Sequence, residues 1–81
     1  MTKFFIITPY GTTLQVVFNE ATNMWDIYLN DRIMTEREMD QVAASGQTFV
    51  PYPAMKFPFS CDLHAKFSQF SFYEPMKIAS Y

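Results

Sequence analysis

The sequence predicts an α+β fold: an antiparallel sheet of four or five strands, opening with an N-terminal β-meander, and one short helix packed on one face. Three observations predict it. Apolar residues alternate with period two over residues 14–19 and again over residues 24–29. One capping box introduces one stretch of helical periodicity. Prolines and aromatics then crowd the second half, where proline removes donors from any central strand. The 81 residues read as one small domain, with 1–34 the meander, 35–45 the helix, and 46–81 a Pro- and aromatic-rich extended segment ending in a strand.

Each element has its own signal. Phe4-Phe5-Ile6-Ile7 after Lys3 is a short apolar run, stopped by the turn residues Pro9-Tyr10-Gly11. Leu14, Val16 and Phe18 share one face of the next strand, with Gln15, Val17 and Asn19 on the other. Glu20-Ala21-Thr22-Asn23 is polar and suits a hairpin loop. Trp25, Ile27 and Leu29 then alternate with Asp26 and Tyr28, and Asn30-Asp31 tolerate the positive φ of a tight turn. Thr35 and Glu38 form the capping box, Met39, Val42 and Ala43 the apolar face of the helix, and Gly46 its stop.

Beyond the helix the patterns weaken. Pro51, Pro53 and Pro58 limit residues 48–60 to an edge strand or a loop laid on apolar surface. Residues 67–73 read as a strand closed by Pro75. The run Lys56-Phe57-Pro58-Phe59-Ser60 is echoed in Lys66-Phe67-Ser68-Gln69-Phe70-Ser71, an imperfect echo that suggests two paired strands.

Composition excludes several function classes. A single Cys forbids an internal disulfide, and one Cys with one His cannot supply the usual four-ligand zinc site. Two glycines leave no glycine-rich phosphate loop. No apolar run approaches the ~20 residues of a membrane span, and residues 4–7 are too short for a secretory signal, so the expected location is cytoplasmic. The one helix is short and acidic, unlike a basic membrane anchor. Cys61 and His64 are the one nucleophile–base pair that spacing suggests, without a local signature. No G-x-S-x-G elbow is present. The reading is therefore not an enzyme, with no metal and no cofactor.

The charge of -2 conceals an asymmetry. Residues 20–40 hold six acids against two arginines, a balance of -4, while the flanking segments are each +1. Asp26, Asp31, Glu36, Glu38 and Asp40 are thus one candidate partner-binding face, able to mimic a row of phosphates toward a basic groove. The second candidate is aromatic: Tyr52, Phe57, Phe59, Phe67 and Tyr73 lie among prolines and serines, where burial is not dictated by pattern.

The expected function is a non-enzymatic binding protein that occupies a surface of a larger protein or complex. One form is a phage-type inhibitor of a host nucleic-acid-processing enzyme, acting through the acidic face. One alternative is a small structural or assembly protein, a homodimer in its simplest form, associating through edge strands and the aromatic patch. Another is a weak single-strand binder using the Lys56–Phe57 and Lys66–Phe67 neighbours, although direct nucleic-acid binding is disfavoured by the net charge.

Overall fold

The computed structural model describes residues 3–75; the two N-terminal residues, and residues 76–81 of the expected C-terminal segment, lie outside the described residues. In chain order the elements are β1 (Lys3–Ile7), β2 (Thr13–Asn19), β3 (Met24–Asn30), α1 (Glu36–Ser45), β4 (Met55–Pro58), α2 (Leu63–Lys66) and β5 (Ser71–Tyr73). The strands form one antiparallel sheet in the order β4-β3-β2-β1-β5. The meander is in register as the alternation requires, with Val16 facing Ile27 and Phe18 facing Trp25. Asn23 takes the left-handed φ of 57° that closes the β2–β3 hairpin.

β1 lies inside the sheet and is covered on both sides, which explains its unbroken apolar run. Phe4 and Ile6 point to one face with Leu14, Val16 and Ile27, beneath Leu63 of α2. Phe5, fully buried, points to the other, with Met34 and Met39. The chain thus packs a helix on each face of the sheet.

α1 forms as its sequence dictates. The Glu38 amide donates to Thr35 Oγ1 at 3.1 Å and the Thr35 amide to Glu38 Oε1 at 3.0 Å, completing the capping box. Gly46 ends the helix at φ 74°. Met39 plugs the space above Phe5.

The C-terminal part departs from the sequence expectation in two respects. Residues 63–66 form the one-turn helix α2, so only Ser71–Tyr73 remain of the strand expected over 67–73. Asp62 caps the turn, accepting from the Ala65 amide at 3.2 Å, and Leu63 anchors it in the core. The echoed runs do not pair. β4 lies at one edge of the sheet on β3, and β5 at the opposite edge on β1.

Polar side chains fasten the α1 face. Buried Thr13 donates to the Arg32 carbonyl and accepts from the Met34 amide, both at 2.9 Å, which sets the approach to α1. Gln15, 1% exposed, donates to the Gln47 carbonyl at 2.9 Å and accepts from the Phe49 amide at 2.7 Å. One side chain thereby pairs two backbone groups, as a neighbouring strand would. Among the described residues no helix is long and apolar enough to cross a membrane.

Candidate protein-binding surfaces

The acidic residues do not share one exposed face. Asp26 points to the α1 face of β3 and is 5% exposed. Its Oδ2 accepts from Asn19 Nδ2 at 3.1 Å, while its Oδ1 is buried without a hydrogen-bond partner. Glu38 forms a two-pronged ion pair with Arg32 in addition to its capping role. These donors hold its carboxyl down at about 2, the Arg32 hydrogen bond contributing most. Asp40 accepts from the Tyr73 hydroxyl at 2.7 Å. That bond pushes the Tyr73 phenol up to about 12, chiefly because it favours the protonated hydroxyl beside a carboxylate. Asp31 and Glu36 remain exposed, with Arg32 and Arg37 as chain neighbours.

The aromatic residues separate as well. Phe57 and Phe67 turn inward and meet edge to face at 6.2 Å, packed against the core under α2. Lys66 Nζ stands 5.0 Å from the centre of the Phe57 ring, so this Lys–aromatic contact lies within the fold. Tyr73 lies on the α1 face against Phe5. It joins the two candidate sets, because its hydroxyl is the partner of Asp40. Phe59, 52% exposed, leans on Phe18 and Trp25 with ring centres 4.8 and 5.6 Å away. Tyr52 is the most outward of the five, 81% exposed, at the other end of β4.

Exposed apolar side chains accompany Tyr52 along the chain: Val50 and Met55 on its own segment. A shallow groove of about 340 Å³ opens elsewhere, between α1 and the chain after it, lined by Met34, Glu38, Gln41, Val42, Ser45 and Gln47. Its lining is mixed, polar and apolar in about equal parts, and includes the paired Glu38.

The edge strand β4 is chemically guarded. The Phe59 amide donates to the Asn23 carbonyl, so ladder alternation turns the backbone nitrogens of Lys56 and Pro58 outward. Proline has no hydrogen there, and the Pro58 carbonyl already accepts from the Cys61 amide at 2.9 Å. A second strand would find one amide donor, that of Lys56, between Met55 and Phe59.

Cys61 packs half-buried against the core, whereas His64 stacks on Phe72 at 4.5 Å and on Phe4 at 5.4 Å. Among the described residues no hydrogen bond joins the two. Nor do three or more His, Cys, Asp or Glu side chains gather as a metal site.

Sequence reasoning missed Gln15, whose alternation position marks it only as outward-facing in a half-buried strand. A glutamine opposite Phe5 in an interior strand is the signal, legible once the strand order is known. Comparison with protein-family models, curated proteins and solved structures gives no match, so the residues themselves carry the functional argument.

Proposed function

We propose that this chain is a non-enzymatic binding protein that occupies a surface of a larger protein through its exposed, uncharged aromatic and aliphatic side chains near β4. The supporting observation is the fate of the ten residues that sequence pattern singles out. The acids are largely engaged: Asp26 is buried, Glu38 is ion-paired, and Asp40 holds Tyr73. Tyr52 and Phe59 stand outward, and large apolar groups left in water are a common mark of protein contact surfaces. A phage-type inhibitor remains one form of this reading, with contact made by these side chains rather than by an array of carboxylates.

Salt separates the two versions. Contact through the apolar residues leaves affinity for the partner within about 3-fold between 50 and 300 mM salt, because few ions are released. Contact through Asp31 and Glu36 weakens about 10-fold or more over that range, and Glu36→Lys weakens it further. A strong salt dependence replaces the apolar reading with the acidic one.

A further inference from the structure

We propose that residues 47–55 are a preorganised recognition loop with Tyr52 as its anchor, and that its partner is a folded protein offering an uncharged apolar pocket closed by a hydrogen-bonding group for the tyrosine hydroxyl. The proposal rests on the protein-binding reading above and names the partner's chemistry.

The loop is fixed before any partner arrives. Pro51 and Pro53 lock their own φ angles. They also confine Val50 and Tyr52, the residues before them, to extended conformations. At the near end Gln15 holds the Gln47 carbonyl and the Phe49 amide, and the Phe49 ring rests on Phe5 at 5.7 Å. Within the loop Thr48 Oγ1 donates to the Val50 carbonyl at 2.7 Å. At the far end the Ala54 amide donates to the Ile27 carbonyl at 2.8 Å. Nothing in this arrangement covers the Tyr52 ring, which is 81% exposed. A rigid backbone that projects one large side chain has already met most of the ordering cost of binding.

The chemistry of the loop selects the partner. Residues 47–55 (Gln-Thr-Phe-Val-Pro-Tyr-Pro-Ala-Met) contain no charged side chain. A phosphate backbone, an anionic lipid surface and a basic groove each require charges that this stretch lacks. A protein pocket does not. Tyr52 supplies an apolar ring and a polar tip, and Val50 and Met55 are the other exposed large apolar side chains of the same stretch. A second copy of this chain is a poor host, because its groove beside α1 sets Glu38, Gln41, Ser45 and Gln47 beside Met34 and Val42 and so would place a carboxylate against the tyrosine ring.

The test uses the full chain. Proteins captured by the tagged chain from a lysate of its source organism are purified and titrated by calorimetry. They are titrated against the unaltered chain, Tyr52→Ala, Tyr52→Phe, Pro51→Ala and Glu36→Lys. Tyr52→Ala is expected to weaken binding by about 30-fold or more, as a central aromatic anchor does. Tyr52→Phe, which loses the hydroxyl alone, is expected to weaken it by about 3- to 10-fold. Pro51→Ala is expected to weaken it a few-fold by loosening the loop, and Glu36→Lys to leave it within about 2-fold. The melting temperature of Tyr52→Ala stays unchanged, which separates contact from folding.

A captured protein that binds Tyr52→Ala as tightly as the unaltered chain overturns the loop proposal and leaves the protein-binding reading standing. If no purified protein titrates with the unaltered chain, both fall. A dimer seen by sedimentation and dissolved by Tyr52→Ala makes the partner a second copy and overturns the proposal. So does a single-stranded oligonucleotide whose binding depends on Tyr52.

Discussion

The two faces of the sheet are covered by different means. On the α2 face, Phe4, Trp25, Phe57, Phe67, Phe70 and Phe72 fill the space around a single helical turn. These rings pack around a buried core of Ile6, Leu14, Val16, Ile27 and Leu63, and Lys66 is drawn onto one of them. On the α1 face the apolar core is smaller, formed by Phe5, Met34 and Met39, and directional bonds complete it. Thr13 fastens the approach to the helix, Gln15 the chain leaving it, and Tyr73 the helix flank through Asp40. The difference teaches how the abundant aromatics are used. Six of them pack around the short α2 segment, whereas polar clamps aim the loop that carries Tyr52.

The largest expected effect is at the residue that belongs wholly to the α1 core. Phe5→Ala removes the plug beneath Met39 and is expected to cost about 3–5 kcal/mol in chemical denaturation, enough to unfold much of the population. A loss under about 1 kcal/mol would mean that the clamps, not the core, hold α1. Next is Gln15→Leu. It strands the Gln47 carbonyl and the Phe49 amide, at a cost of about 1–3 kcal/mol each if neither finds water. Amide exchange should accelerate at Phe49 while β1 and β2 stay protected. Equal acceleration across the sheet would mark Gln15 as a general core residue rather than a clamp.

A smaller effect of opposite sign is expected at Asp26. Its Oδ1 is buried without a partner, and Asp26→Asn keeps an acceptor for Asn19 while removing a carboxyl from the interior. Stability is expected to rise by about 1 kcal/mol. A fall of that size would reveal a donor for Oδ1, and Lys56, directly opposite in register, is the residue to remove next.

The smallest effects are pH-dependent. The Tyr73 phenol titrates near 12 in the folded chain against 10.0 when unperturbed, so its hydrogen bond to Asp40 contributes fully below pH 10 and is lost as pH rises toward 12. Glu38 titrates near 2 against 4.5, so its contribution is whole above pH 4.5 and disappears as pH falls toward 2. Melting temperatures across both ranges should decline, and Tyr73→Phe should flatten the alkaline decline alone. An unchanged alkaline slope in that variant would detach the Asp40 bond from stability.

Much of the fold was legible in the sequence because alternation and capping are local. Leu14, Val16, Trp25 and Ile27 declare their strands, and Thr35, Glu38 and Gly46 declare both ends of α1. α2 was illegible because one turn cannot display helical periodicity; its trace is the capping residue Asp62 before Leu63. The candidate surfaces were less legible still. Charge along the chain does not reveal that Asp26 points inward or that Glu38 and Asp40 are already engaged. For the aromatics, the pattern left burial open at all five positions; it showed neither that Tyr52 stands outward nor that Phe57 and Phe67 turn inward, which depends on α2.

The most direct test of the Tyr52 loop is an amide chemical-shift map of the labelled chain, titrated with its purified partner. The account predicts that the largest perturbations fall at residues 48–55 and on Ile27, which receives the far end of the loop, while residues 31–37 stay still. Perturbations centred on Asp31 and Glu36, with Tyr52 and its neighbours unmoved, would contradict it.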